Sequence, residues 1–357
     1  MSDPRFTVRA IDVGYGHVKF TDGRDTETNA IRTDSFASQS TAVPEFVIDS
    51  DVMQRRDTFV VPVNARCYEV GKGLGLALGV NQETAILDDD FPLSDAYVAR
   101  LYGALNYMAR LLPGRAIDHL VLGLPLTTYF RHQVAVAKRF CGEHTINVRG
   151  DRINVNQCHV YPQPLGGYAE YLAGAPVPAD KEAPMALVID PGYYTVDWFV
   201  CRRMIASEIR SGAVHCGVSA ILRAVAGQII DEACVGAGVS ETIRRIDHSL
   251  IQKNAFTMCG RVVALDKFMA AGDIVIDEAA QAVKNSIGSG ADIDVLVLTG
   301  GGAALYHPAI ARKFPHHEVV VLPDPAHANV RGFHLLGERI SLSAGRAMRR
   351  GAGRAST

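Results

Sequence analysis

The sequence has no long apolar run, almost no net charge and no signal-like start. No apolar stretch reaches the roughly 20 residues that a membrane-spanning helix needs. The N-terminus MSDPRFTVRA lacks the basic-then-apolar order of a signal peptide. A formal net charge of −2 excludes a general attraction to nucleic acid or to anionic membranes. We therefore expect a cytoplasmic protein with no membrane partner and no direct sequence-specific DNA binding.

Paired cysteines and two familiar nucleotide motifs are also missing. The seven cysteines are scattered, and none forms a C-x-x-C pair. This distribution argues against a disulfide framework or a zinc site and favours a reducing compartment. The glycines at 300–302 are not followed by the Lys-Ser/Thr of a Walker A loop, and no G-x-G-x-x-G follows the first strand. P-loop and Rossmann folds are therefore disfavoured.

Length and periodicity predict an α/β protein of two domains. A chain of 357 residues is long for one hydrophobic core. Predicted strands such as HLVLGLPL and HEVVVLP alternate with helices, which implies mixed sheets. One helix should begin with Ser94 as its N-cap and stop at Pro113. Helices are predicted over residues 94–112, 217–234, 240–253, 273–288 and about 329–346.

One pattern occurs twice at long range: IDVGYGHVKF near the N-terminus and IDPGYYTVDWF in the middle of the chain. Each copy is an apolar strand that ends in an aspartate, Asp12 or Asp190, followed by a glycine turn and a second strand. Such a turn directs backbone N–H groups into a concavity that suits phosphate oxygens. The aspartate beside it can hold Mg²⁺ through water. A single Asp-x-Gly is usually only a β-turn, but two copies on matching strand pairs favour phosphate binding.

A third segment, VLVLTGGGAAL, runs from an apolar strand through Thr299 and the glycines into a predicted helix. This order brings bare backbone and a helix N-terminus to a ligand. By itself the signal is weak, because many glycine-rich turns serve only close packing.

These segments, in this order, resemble the actin, Hsp70 and sugar-kinase superfamily, and most closely the bacterial and archaeal actin-like proteins of the ParM/StbA plasmid-segregation type. VYPQPLGGYAEYL and PDPAHANVRGFHLLG look like the two connecting segments of that superfamily. The resemblance implies an actin-like, ribonuclease-H-like fold around a nucleotide cleft. It implies a first domain over 1–164, with 34–92 as its variable subdomain and 327–346 completing it. The second domain would cover 165–326. The composition of the end of the chain, arginines with glycine and alanine, predicts a basic flexible tail over 347–357.

The resemblance also implies roles for individual residues. Asp12 and Asp190 would hold Mg²⁺ through water, Lys19 would contact phosphate, and Gln163 would orient the attacking water. The backbone of two turns would bind phosphate: Gly14, Tyr15, Gly16 and His17 in the first, and Gly192, Tyr193, Tyr194 and Thr195 in the second. The backbone of Gly300, Gly301 and Gly302 would lie against the adenosine. The residue-level alternative for Gln163 is a polar residue between two prolines. Tyr15 departs from the usual Ser or Thr, and Pro191 with the Tyr193-Tyr194 pair makes the second turn bulkier than usual.

The resemblance leaves several functions open, since the superfamily contains filaments, chaperones and kinases. We favour a slow ATPase (or GTPase) that forms dynamic filaments for plasmid or DNA segregation, with itself and a DNA-binding adaptor as partners. The alternatives are a non-polymerising nucleotide switch of a mobile-element system and a small-molecule kinase. No catalytic Asp for an acceptor hydroxyl is evident, and the chain ends soon after the last connecting helix, which counts against a chaperone. The arginine-rich end has a second interpretation, a contact to DNA, a partner or a neighbouring subunit.

Overall fold

The computed structural model describes residues 6–44, 56–74, 90–174, 182–233, 238–252, 254–258 and 260–354. The chain forms two compact units. The first contains Met1–Lys181 and His327–Thr357, and the second contains Glu182–Ala326. The first unit thus runs past residue 164, where the sequence had suggested a boundary.

The first unit is built on β-strands from the N-terminal half of the chain. They are β1 Val8–Val13, β2 His17–Arg24, β3 Ile31–Ala37, β4 Thr41–Val43, β5 Phe59–Val63, β6 Arg66–Val70, β7 Ala116–Leu124, β8 Gly142–Thr145 and β9 Arg152–Pro162. The main sheet has the order β3-β2-β1-β7-β9-β8, and a small sheet has the order β4-β6-β5. The small sheet lies within the predicted variable segment 34–92, of which residues 45–55 and 75–89 are outside the described residues.

The central position of β1 follows from its composition. All six of its residues are buried, and it pairs antiparallel with β2 and parallel with β7. A strand covered on both faces needs a continuous apolar run, and a lone carboxylate within it requires partners. Asp12, one residue before the end of β1, is therefore held in a defined setting.

Three of the helices of this unit lie within residues 90–174: α1 Asp95–Ala109, α2 Leu126–Arg139 and α3 Gln163–Gly174. Ser94 caps α1 as predicted, because its hydroxyl accepts a hydrogen bond from the Tyr97 N–H at 3.1 Å. The helix ends at Ala109 rather than Leu112, and a 3₁₀ turn over Pro113–Arg115 leads into β7. Proline marks the end of the helical region here but not its last residue.

The second unit is also a mixed sheet with flanking helices. Its described elements are, in chain order, β10 Ala186–Pro191, β11 Val196–Arg202, β12 Ile205–Val214, α4 Val218–Ala233, α5 Val239–Gln252, β13 Thr257–Met258, β14 Arg261–Val262, α6 Ala270–Ile287, β15 Val295–Leu298, α7 Ala303–Lys313 and β16 Val319–Val321. The main sheet has the order β12-β11-β10-β15-β16. Its core joins apolar residues of β10, β11 and β15 to the inner faces of α4, α6 and α7.

The last helix, α8 Pro325–Arg354, belongs to the first unit from His327 onward. It lies so close to α3 that a methyl group added at Gly166 would overlap the Asn329 carbonyl. This contact places α3 in the first unit, whereas the prediction assigned residues from 165 onward to the second. The helix also continues to Arg354, so the predicted flexible tail is helical up to that residue; alanine and arginine are strong helix formers.

Two further observations bear on the sequence predictions. Among helices of the described residues, none is both long enough and apolar enough to cross a membrane. The described cysteines, Cys67, Cys141, Cys158, Cys201 and Cys216, are free thiols.

Candidate functional site

The first phosphate turn connects β1 to β2 and is held by backbone hydrogen bonds. The Gly14 N–H donates to the His17 carbonyl at 3.1 Å, and the Ser38 N–H donates to the Gly16 carbonyl at 2.8 Å. Register places Asp12 directly opposite Lys19 on β2 and beside Gly123 on β7. The turn therefore lies at the end of the central strand, with one carboxylate and one ammonium beside it.

Asp12 connects the two other polar side chains predicted for this half of the site. Its side chain is only 1% exposed; one oxygen accepts a hydrogen bond from Gln163 Nε2 at 2.6 Å, and the other lies 3.7 Å from Lys19 Nζ. Because a carboxylate only accepts hydrogen bonds, the Gln163 amide must present its NH₂ group to Asp12. The Gln163 oxygen is left as the acceptor for another group, which is the atom that orienting a water requires.

Gln163 reaches Asp12 because of where two elements meet. Strand β9 ends at Pro162, paired with Leu124 at the end of β7, and α3 begins at the next residue. The side chain at the first helical position thus lies at the same sheet edge as Asp12.

Tyr15 and His17 have different surroundings within the turn. The Tyr15 side chain is buried, and its ring centre lies 5.0 Å from that of Phe91. Burial, with Lys19 and His327 nearby, lowers the pKa of His17 to about 4. His17 is therefore neutral at physiological pH, and Lys19 is the cation of this turn.

The second phosphate turn connects β10 to β11 and is braced by the start of α4. The Gly192 N–H donates to the Thr195 carbonyl at 2.8 Å. The carbonyls of Gly192, Tyr193 and Tyr194 accept hydrogen bonds from the N–H groups of Val218, Ser219 and Gly217 at 2.8–3.1 Å. These turn carbonyls satisfy N–H groups that the start of a helix leaves unpaired. The turn is thereby rigidly held.

The tyrosines of this turn pack in two directions. Tyr193 packs against the core of the unit, and burial raises the pKa of its hydroxyl to about 12. The ring of Tyr194 instead lies 4.6 Å from that of His215, centre to centre. The bulk at this turn is therefore accommodated by the protein itself.

Asp197 is a buried carboxylate that the sequence predictions did not include. It pairs in register with Asp190, just as Lys19 pairs with Asp12, and both aspartates are at most 3% exposed. The Thr195 hydroxyl donates to Asp197 at 2.5 Å. Aligning the two repeated segments would have revealed it, because each copy has its second charged residue seven positions after the first. The two turns thus differ in charge: one has an acid and a base, the other two acids.

The glycine-rich loop after β15 approaches Asp190. Gly300 has a φ of +79°, and a methyl group there would overlap the Asp190 carboxylate. The Gly302 N–H donates to the Pro191 carbonyl at 2.9 Å. Gly301 is exposed, and nothing lies within 4 Å of where its side chain would be. Close packing within the second unit therefore accounts for Gly300 and Gly302, while Gly301 presents open backbone.

The residues of the two turns suit a cation that keeps its water ligands better than one coordinated directly by several protein side chains. In the described part of the chain, no group of three or more His, Cys, Asp or Glu side chains is arranged to hold a metal ion. Each turn instead offers a buried aspartate next to turn backbone. That donor set matches Mg²⁺, which keeps several waters and takes few protein ligands.

Comparison with known proteins identifies the fold. Residues 10–166 match the family model described as the N-terminal domain of actin-like proteins. The structure resembles the crystal structure of Ta0583, an archaeal actin homologue, with a TM-score of 0.72 and 18% identity over 94% of this chain and 100% of that chain. It also resembles a 15-stranded ParM filament from Clostridium botulinum, with a TM-score of 0.72 and 16% identity over 94% of this chain and 99% of that one.

A third structure, the complex of Ta0583 with ADP, matches with a TM-score of 0.70 and 18% identity over 94% of this chain and 100% of that chain. A comparison with curated protein sequences finds no match. The chain has the actin-like fold, which it shares with the ParM proteins, and its residues 10–166 match a family model of actin-like proteins. The predictions of fold class and superfamily are confirmed.

Proposed function

We propose that this chain is an actin-like protein that binds ATP or GTP with Mg²⁺, forms filaments and slowly hydrolyses the nucleotide. One observation carries the proposal. Each unit places a buried aspartate beside a braced turn, and in the first unit that aspartate also contacts Lys19 and Gln163. Burying a carboxylate costs free energy, and a hairpin with only a structural role does not require one. A buried aspartate that contacts both a lysine and an amide beside such a turn is therefore typical of a functional site.

The proposed roles follow from the chemistry of phosphoryl transfer, which needs positioning and electrostatics more than covalent steps. Lys19 neutralises phosphate charge, and the backbone of both turns binds phosphate oxygens. Asp12 and Asp190 hold the waters around Mg²⁺, which supplies further positive charge at the phosphates. Gln163, fixed by Asp12, accepts a hydrogen bond from the attacking water. A neutral amide orients water but is a poor base, so turnover is slow.

Two of the similar structures support the proposed filament formation and nucleotide binding. One is a ParM filament, and the other is an archaeal actin homologue in complex with ADP. By analogy we propose self-assembly that favours the nucleoside triphosphate state, with disassembly after hydrolysis. A role in plasmid or DNA segregation, through a DNA-binding adaptor in the cytoplasm, completes the proposal.

High-speed sedimentation with parallel phosphate release tests this function, using no nucleotide, ADP, ATP, GTP and a non-hydrolysable ATP analogue. We expect pelleting with a triphosphate or the analogue but not with ADP. Asp190→Ala should abolish phosphate release while keeping the far-UV circular dichroism spectrum. The matched control is Asp266→Ala, which changes an exposed aspartate of the same unit.

The other outcomes are informative. Unchanged turnover in Asp190→Ala would refute the site assignment. Steady phosphate release without pelleting would favour a nucleotide switch, and phosphate transfer to a small hydroxyl compound would favour a kinase.

A further inference from the structure

Helix α2 of the first unit carries an exposed apolar pair on a basic surface. Phe130 and Val134, one helical turn apart, are 54% and 77% exposed. The helix contains Arg131, Lys138 and Arg139 and no acidic residue. Arg131 lies 3.8 Å from Asp90, and both side chains of that pair are more than half exposed. We call Phe130, Arg131, Val134 and Lys138 the α2 face.

Helix α6 of the second unit carries an exposed apolar residue on an acidic surface. Ile274 is 74% exposed, and Asp273, Asp277 and Glu278 are exposed around it. Arg312 pairs with Asp277 at 2.9 Å, and this pair too is more than half exposed. We call Asp273, Ile274, Asp277 and Glu278 the α6 face.

Single exposed apolar residues are ordinary on protein surfaces. The informative feature is that basic side chains outnumber the acidic Asp90 around the α2 pair, whereas acidic side chains outnumber the basic Arg312 around Ile274, so the two rims have opposite net charge. Opposite rims steer the correct docking and disfavour like-with-like contacts. An α2 face would repel a second α2 face, and an α6 face would repel a second α6 face. Each face therefore suits the other one.

We propose that the α2 face of one copy docks on the α6 face of the next copy, an inference that rests on the proposed filament. Phe130 and Val134 pack against Ile274, while Arg131 and Lys138 pair with the surrounding carboxylates. Because the two faces belong to different units of one chain, the contact is head-to-tail. A head-to-tail contact leaves one face of each kind unused at the ends, so it propagates along a filament unless the rotation closes a ring.

Charge reversal tests this pairing. One variant carries Arg131→Glu with Lys138→Glu, and the other carries Asp273→Lys with Glu278→Lys. Each alone should raise the critical concentration for nucleotide-dependent pelleting by about tenfold or more, because every contact then opposes like charges. An equimolar mixture should assemble again, since each contact in an alternating polymer joins opposite charges. Arg149→Glu with Arg152→Glu, an equal change at exposed positions elsewhere in the first unit, should assemble like the wild type.

The outcomes separate this inference from the proposed function. Wild-type pelleting that both reversed variants retain would overturn the inference and leave the filament standing. Folded variants that lose assembly but do not recover on mixing would overturn the pairing and indicate another occupant for one face. If the wild type never pellets, sedimentation velocity of the mixed variants decides. Absence of a complex at any concentration would then overturn both the filament and the contact.

Discussion

At the scale of single residues, Gly300 combines two constraints. Its φ of +79° is a left-handed conformation, and the Asp190 carboxylate occupies the space that a side chain would need. Gly301, the next residue, has neither constraint. The two positions therefore form a natural pair for testing how the loop supports Asp190.

We expect Gly300→Ala to lower the free energy of unfolding by about 1–3 kcal/mol, because it adds backbone strain and an overlap. Since the overlap falls on Asp190, nucleotide affinity should fall as well. Urea unfolding and isothermal titration with ATP measure both. Gly301→Ala is the control and should leave both values near those of the wild type; equal effects of the two substitutions would argue against the packing role of Gly300.

A second prediction at this scale concerns Asp247 on α5, close enough to Tyr193 for its charge to affect that hydroxyl. Burial raises the pKa of Asp247 to about 6, against a smaller opposing effect of His248. Below about pH 4 the carboxyl is protonated in both the folded and unfolded states. As the pH rises from about 4 to about 6, the unfolded chain loses this proton before the folded one, so the folded state loses stability, and the loss levels off above about pH 6.

Asp247→Asn should remove this loss. The variant should exceed the wild type in unfolding free energy by on the order of 2 kcal/mol at about pH 7.5, and by little at about pH 4. Urea titrations across that range measure the difference. Asp231→Asn alters an exposed carboxylate on α4 and serves as the control. A constant difference between Asp247→Asn and the wild type at every pH would contradict the burial argument.

At the scale of elements, α3 and α8 meet through glycines. A methyl group at Gly166 would overlap the Asn329 carbonyl, and one at Gly332 would overlap the Gly166 carbonyl. This close approach fixes the position of α3, whose first residue is Gln163. Packing between two helices remote in sequence therefore sets the geometry of the site.

Gly166→Ala should destabilise the protein by about 1–3 kcal/mol through overpacking between the helices. Gly174→Ala, at the other end of the same helix, has open space around it and should be neutral or stabilising by up to about 1 kcal/mol. Thermal unfolding monitored by circular dichroism compares the two. Equal melting temperatures for the two variants would show that the contact between α3 and α8 is not tight.

These elements also show what the sequence could predict. Ser94 capping of α1 is a local signal, and it was predicted correctly. The close approach of α3 to α8 depends on which residues of one helix face the glycines of the other. No residue spacing in the sequence predicts that pairing. The same limit explains the boundary misplaced at residue 164: α3 follows the predicted first domain in sequence but packs on a helix about 160 residues later, near Asn329. Asp197 could have been found from the repeat.

At the scale of the whole molecule, the repeated segments made the two-unit architecture predictable, since each copy begins a buried sheet of its own. The repeat also predicted what the two units share, a buried aspartate before a glycine turn. The repeat also contains the difference between them, Lys19 opposite Asp12 but Asp197 opposite Asp190, although the sequence predictions did not include Asp197. The first unit thus has an acid and a base at these paired positions, and the second unit has two acids. Gln163 is hydrogen-bonded to Asp12 of the first unit. We therefore expect that loss of Gln163 reduces hydrolysis more than it reduces assembly.

Gln163→Ala tests that separation of hydrolysis from assembly. The substitution removes the amide that would orient water, while Asp12 and Lys19 remain, so phosphate release should fall roughly 10²-fold. Pelleting with ATP should persist, and filaments should disassemble more slowly after dilution because fewer subunits reach the diphosphate state. Gln157→Ala, at an exposed position of β9, is the control and should behave like the wild type in all three measurements. Loss of pelleting together with phosphate release would instead assign Gln163 a role in binding, and normal phosphate release would remove it from the hydrolytic site.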